Sequence, residues 1–211
     1  MDPIPKSGFT LPNRLARITL LSLEDLLTPQ GMHSLLHQAH LPELIENYPP
    51  ANLAPGFDFA DYGALNLSLE ESYGPRGGRG MALRAGRKTF AEALSRFGAL
   101  AGVEATAFKL LPPGRKLRLG LSALARIYTE TSDQSSSVKE TGDAFHYMVQ
   151  RNACCWGRSG EDRPVCYMMV GVLQEALNRI SGGHEFRVDE SECQAAGAEQ
   201  CTFVIYKEPI S

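Results

Sequence analysis

All five cysteines of this chain fall after residue 150, at Cys154, Cys155, Cys166, Cys193 and Cys201. An odd number cannot pair completely within one chain, and a disulfide between the adjacent Cys154 and Cys155 would be strained. In a reducing compartment, clustered cysteines read as metal ligands or reactive thiols before they read as disulfides. Whatever they do is done by the C-terminal third, and the fold has to gather them there.

Spacing narrows the chemistry. Glu190 and Cys193 lie at the end of a predicted strand, and Cys201 follows across Gly197, a residue free to take the positive φ that a turn needs. Cys166 falls in the first turn of a helix predicted to open at Pro164. A helix N-terminus lowers a thiol pKa and favours the thiolate that metals require. Three thiolates and one carboxylate make a closed tetrahedral shell that suits a structural Zn²⁺ and leaves no position for a catalytic water. The pattern is not a paired Cys-x-x-Cys zinc signature, so a second reading stays open: buried free cysteines acting as small hydrophobes.

The rest of the chain reads as one ordinary domain with an N-terminal extension, 211 residues in all. Hydrophobic residues at 43% and charged residues at 21% exclude a disordered chain. A net charge of -3 carries no basic footprint, which argues against nucleic acid as a partner. Met1 to Thr10 has one lysine and no apolar run, so it is not a secretory signal. No stretch reaches the roughly 18 apolar residues that cross a bilayer. The expectation is a soluble, cytoplasmic protein without a membrane partner.

Periodicity assigns the elements. Residues 1–20, with early prolines, read as an arm or strand-like extension, followed by helices over Leu23 to Leu27, Met32 to His40 and Pro42 to Asn47. His33, His37 and His40 share a helical spacing and read as a polar face. Residues 49–63 read as a loop, and Leu65 to Tyr73 as a helix. The glycine-rich basic run Gly74 to Gly80 lacks the Gly-Lys-Ser/Thr of a Walker loop and reads as an inter-helix turn, with an anion site at the next helix start as the sharper alternative. That next helix runs Met81 to Leu100, and another Arg115 to Tyr128 with a stripe of Leu117, Leu121 and Leu124. Ser132 to Ser137 is a turn. Within Val138 to Ala153, Phe145, Tyr147 and Val149 alternate with His146, Met148 and Gln150, a strand pattern. The Pro164 helix ends at Gly182-Gly183, and strands follow around Phe186 to Glu190 and Thr202 to Tyr206. Helices, then strands, then one helix and two strands describe an α+β domain with a mostly antiparallel sheet.

Three segments carry a resemblance. Pro164-Val165-Cys166-Tyr167-Met168 with Gly171, then Val188 to Gly197 with Glu190 and Cys193, then Cys201-Thr202-Phe203-Val204-Ile205, resemble the 4-vinyl reductase (hydrocarbon-binding) domain family. The same pattern closes the sensor domains of phenol- and xylene-responsive bacterial transcription activators, where the matching residues bind zinc. The resemblance implies zinc ligation by Cys166, Glu190, Cys193 and Cys201. It also implies a ligand-binding fold like that of transport-particle subunits, with residues 1–60 an N-terminal, dimerising part and 61–211 the ligand-binding domain. Many relatives carry Cys-x-x-Cys where this chain reads Asn152-Ala153-Cys154-Cys155; the first cysteine is absent, which argues against a metal role for this pair.

The function that follows is binding or sensing of a hydrophobic or aromatic small molecule, with Phe145, Tyr147, Trp156, Tyr167 and Val170 as expected pocket residues and Zn²⁺ as a structural cofactor. Members of the family in bacteriochlorophyll synthesis raise a second reading, a tetrapyrrole-binding accessory or vinyl reductase, in which Arg76, Arg79, Arg84 and Arg87 would meet ring propionates. No Gly-x-Gly-x-x-Gly follows a strand, which argues against a self-sufficient reductase. A third reading is an assembly module that turns nothing over.

Overall fold

The computed structural model describes residues 2–97 and 110–210. Strand β1 (Thr10–Pro12) pairs antiparallel with β2 (Pro55–Asp58), Leu11 facing Phe57. The chain between them forms helix α1 (Asn13–Glu24), helix α2 (Pro29–Gln38) and a single 3-10 turn at Pro42–Leu44. This corrects the arm expected over residues 1–20. Ala16, Leu20 and Leu23 are all buried, a helical stripe that the flanking prolines obscured, and Pro12 ends β1 at the N-cap of α1. Helix α2 opens on Thr28, whose hydroxyl accepts from the Gly31 amide at 3.1 Å, with Pro29 in the first turn. Its histidines His33 and His37, with His40 beyond its end, are exposed or half-buried, as a polar face should be.

The loop expected over residues 49–63 contains β2 and the start of helix α3 (Phe59–Phe97), which breaks at Gly74 (φ 70°, ψ 168°). Asp58 starts α3. Its carboxylate accepts from the Ala60 amide at 2.7 Å, the Ser7 amide at 3.0 Å and hydroxyl at 2.7 Å, and the Gly8 amide at 3.1 Å. Burial pushes its pKa up, but these hydrogen bonds outweigh burial and hold it below the ordinary value. In the glycine-rich run only Gly74 leaves the helix, because its positive φ is open to glycine. Pro75 then suits the next first turn, and residues through Gly80 are already helical, so the expected inter-helix turn is a one-residue break. The predicted helix end at Leu100 lies outside the described residues.

Helix α4 (Pro113–Thr131) buries Leu117, Leu121 and Leu124. Strands β3 (Ser135–Thr141) and β4 (Ala144–Gln150) form a hairpin in which Phe145, Tyr147 and Val149 are buried while His146 and Met148 are half-buried. After a 3-10 turn at Ala153–Cys155 comes helix α5 (Tyr167–Ser181), which ends at Gly182 in the left-handed conformation (φ 86°). It begins three residues later than Pro164 suggested, with Cys166 at its N-cap rather than in its first turn. Strands β5 (Phe186–Glu192) and β6 (Cys201–Pro209) complete an antiparallel sheet of order β3-β4-β6-β5.

Helices α4 and α5 cover the inner face of this sheet, where Phe145, Tyr147, Phe203 and Ile205 are 0% exposed. Helix α5 in turn packs on the second half of α3 at backbone contact. A Cβ on Gly86 would lie 2.0 Å from the Met168 carbonyl oxygen, and one on Gly171 2.1 Å from that of Leu83. The architecture is α+β, helices on an antiparallel sheet, with one apolar core that also takes in Leu11, Leu20 and Leu35 from the first 60 residues. No helix among the described residues is long and apolar enough to cross a membrane.

Candidate metal centre

Three local devices bring the thiols together. Asn152 caps the 3-10 turn at Ala153–Cys155, its side-chain oxygen accepting from the Cys154 amide at 3.0 Å, and the turn presents Cys155 inward. The N-cap of α5 presents Cys166. The β5–β6 connection presents Cys193 and Cys201 around a 3-10 turn, Gln194–Ala196, closed by Gly197 at φ 93°. The predicted Gly197 turn is thus in place.

The Sγ of Cys201 lies 3.6 Å from that of Cys155 and 3.8 Å from that of Cys166, and the Sγ atoms of Cys166 and Cys193 are 3.8 Å apart. All four sulfurs lie within 4.8 Å of one another, and all four residues are buried. A tetrahedral zinc with Zn–S bonds of about 2.3 Å sets its sulfurs about 3.8 Å apart, and three of the sulfur pairs stand at that spacing. The Gln194 amide points at the Cys201 sulfur at 3.4 Å, an outer contact that favours a thiolate there. Burial pushes the Cys166 thiol well above its ordinary pKa, while the thiols of Cys155, Cys166 and Cys201 together pull Cys193 down by hydrogen bonding to its sulfur. A cation that replaces those protons removes the conflict.

Cys166, Cys193 and Cys201 therefore meet as their spacing suggested. The fourth sulfur is Cys155, for which the sequence pattern argued packing. Glu190 stands beside the cluster: its carboxylate accepts from the Cys166 amide at 2.7 Å, and its other oxygen is buried without a partner among the described residues. Burial, then the nearby Cys193, raise its pKa to about 8. Cys154 faces away from the cluster, toward a small void bordered by Tyr62 and Tyr128, and burial holds it as a thiol. Arg158, buried just after the 3-10 turn, pairs with Glu70 of α3 at 3.0 Å and with Glu161 at 2.8 Å, which fixes this segment against the helical layer.

The five residues expected to line a pocket are placed differently from one another. Phe145, Tyr147 and Val170 are core. Trp156 packs edge-on against Phe9 at 5.4 Å and Phe59 at 5.8 Å between ring centroids. Tyr167 lies under the Arg79 guanidinium at 5.0 Å. None of the five borders either of two cavities that the structure opens elsewhere. One, of about 330 Å³ beside α2, is polar, and its Arg17 already donates to the Tyr48 and Pro49 carbonyls. The other, about 110 Å³, is an apolar cleft between β1, α1, α3, α4 and α5, bordered by Leu15, Leu53, Phe90, Ile127 and Val172. Sequence periodicity marks such residues as helix faces and carries no signal that five separate segments leave a gap.

Comparison with known proteins places this geometry. Residues 145–207, which contain all four clustered thiols and Glu190, match the family model of the 4-vinyl reductase domain, the family that the motifs resemble. No curated protein matches the chain. Its fold is similar to solved H-NOX structures. A double mutant of Tt H-NOX has a TM-score of 0.60 at 15% identity, covering 95% of this chain and 97% of that one. A single-residue mutant of T. tengcongensis H-NOX gives 0.61 at 13% identity, covering 95% and 100%. An H-NOX protein from S. oneidensis in its Fe(II)NO ligation state gives 0.56 at 13%, covering 92% and 99%. At these identities the likeness is one of fold.

Proposed function

We propose that this chain is a metal-stabilised module that binds or senses a small hydrophobic or aromatic molecule. The observation that carries the metal is the buried four-sulfur cluster at tetrahedral spacing, a donor set that suits Zn²⁺. Bound there, zinc supplies folding free energy rather than chemistry, since four sulfurs leave no open position. The protein's own residues do the rest: Cys166 fixes the start of α5, Cys193 and Cys201 close the β5–β6 turn, and Cys155 anchors the exit of β4. The 4-vinyl reductase domain match and the H-NOX-like fold support small-molecule binding. We place the protein in the cytoplasm as a homodimer formed through residues 1–60.

The likeness to H-NOX structures, one of them solved to probe heme distortion in that family, raises the tetrapyrrole reading again. The apolar cleft disfavours it. Its volume of about 110 Å³ is far too small for a tetrapyrrole, and its described lining offers no histidine, cysteine or methionine to a heme iron.

Metal analysis of protein purified without added metal tests the proposal, alongside a Cys193→Ser variant followed by thermal unfolding. About one zinc per chain, lost in the variant together with much of the stability, is the expected result. Well-folded protein without metal, and a nearly silent Cys193→Ser, would reduce the cluster to packing.

A further inference from the structure

The apolar cleft contains a feature that apolar packing does not account for. Thr89 of α3 lines it, is 1% exposed, and has a hydroxyl with no hydrogen-bond partner among the described residues. A helical threonine ordinarily returns its hydroxyl to the carbonyl four residues earlier. Thr19 does so to Leu15 at 3.1 Å, and Thr129 to Ala125 at 2.9 Å. Thr131, also on the cleft wall, does so to Ile127 at 2.7 Å. An unpaired buried hydroxyl carries its full desolvation penalty, and valine would fill the same space without it.

The remaining lining defines what would satisfy that hydroxyl. The described lining is apolar apart from the hydroxyls of Thr89, Tyr128 and Thr131, which favours a neutral occupant. Tyr128 borders both the cleft and the small void behind it, where Tyr62 and Cys154 also lie. One unpaired O–H donor on an apolar wall suits a single acceptor oxygen. The volume of about 110 Å³ falls short of the about 150 Å³ of an enclosed cavity that takes up benzene, so a single ring is the upper limit and part of it would stand in the open mouth. The mouth lies beside Leu53, which is 59% exposed and offers an apolar rim.

We infer that this cleft is the ligand site of the module and takes a neutral, single-ring molecule with one acceptor oxygen, of the aryl ketone class, the oxygen held by the Thr89 hydroxyl. This rests on the small-molecule-binding reading above and gives it a location and a ligand chemistry.

Acetophenone and ethylbenzene, nearly equal in shape and differing in the carbonyl, are the probes. Binding to the full metal-loaded chain is measured by calorimetry, with methyl NMR of Leu124, Ile127 and Val172 locating the probe. Wild type is expected to bind acetophenone about tenfold more tightly than ethylbenzene, the scale of one net hydrogen bond. Thr89→Val is expected to erase that preference, the two probes then binding equally. Ala93→Trp, which fills the cleft, is expected to abolish both.

Equal affinities in wild type, or a preference that survives Thr89→Val, overturn the inference. Binding that survives Ala93→Trp without moving the three methyl signals puts the ligand elsewhere, which overturns the location and leaves the binding-module reading standing. No binding of either probe to wild type also overturns the inference. The broader reading falls separately, when a panel of unrelated hydrophobic compounds gives no thermal shift.

Discussion

The thiol cluster and the apolar cleft share helix α5, Cys166 at its N-cap and Val172 on its side, and are built in opposite ways. The cluster is closed, its four residues buried and all drawn from the segment between the exit of β4 and the start of β6. The cleft is open at one side and assembled from residues as far apart as Pro12 and Val172. A closed site of charged ligands concentrates stability, because each ligand removed leaves the others buried and unpaired. An open apolar site concentrates recognition, and its walls tolerate change. The two should therefore respond differently to perturbation.

The largest expected difference is between Cys201→Ser and Thr89→Val. Cys201 touches Cys155 and Cys166 and accepts from the Gln194 amide, so its loss should release the metal and cost at least about 4 kcal/mol, roughly 10 °C or more in Tm. Thr89→Val should cost nothing and raise stability by about 1 kcal/mol, since it removes an unpaired buried hydroxyl. Calorimetry with and without a chelator measures both, and equal losses would break the comparison. Gly171→Val comes next. Its Cβ would meet the Leu83 carbonyl oxygen at 2.1 Å, so the α3–α5 contact must open, at about 3 kcal/mol in urea unfolding. Because α5 serves both sites, this single change should weaken metal retention and probe binding together.

Asp58→Ala lies outside both sites and should cost about 1 kcal/mol, the worth of a helix cap. The folded-state pKa of Asp58 is held below its ordinary 3.8, so its contribution is present above that value and is lost as pH falls through the lower folded value. The gap between wild type and variant, followed by acid titration of the unfolding midpoint, should narrow below about pH 4. The smallest effect is a gain. Gly80 sits in an exposed turn of α3 with open space around a built Cβ, and Gly80→Ala should stabilise by about 0.5–1 kcal/mol without touching either site.

This contrast also explains what the amino-acid sequence made legible. The stripe of Leu117, Leu121 and Leu124 and the alternation of Phe145, Tyr147 and Val149 depend on period alone, and both elements stand where they were expected. Cys166, Cys193 and Cys201 were marked by residue type, because few buried positions need three thiols. Cys155 was hidden by its neighbour: two adjacent cysteines look alike until the Asn152-capped turn sends one to the cluster and the other to the Tyr62–Tyr128 void. Helix α1 was hidden by prolines that in fact frame it, Pro12 standing at its N-cap. Phe145 and Tyr147, expected to line a pocket, lie in the core, because period marks an inward-facing residue without telling a ligand from a packed side chain. The cleft was invisible because a gap is a property of how segments fail to fill space, and no residue type encodes it.

The backbone contacts of α3 with α5 run from Gly86 against Met168 and Val172 to Gly171 against Leu83, so they hold a stretch of α5 rather than a point. Backbone against backbone leaves no side chain to yield there. Val172, on the cleft wall, belongs to that stretch, and Cys166 lies about 9 Å from Val172 along the same helix. The cleft wall and the thiol that opens α5 are therefore mounted on one beam bolted to α3, and a change that loosens the bolts should be felt at both.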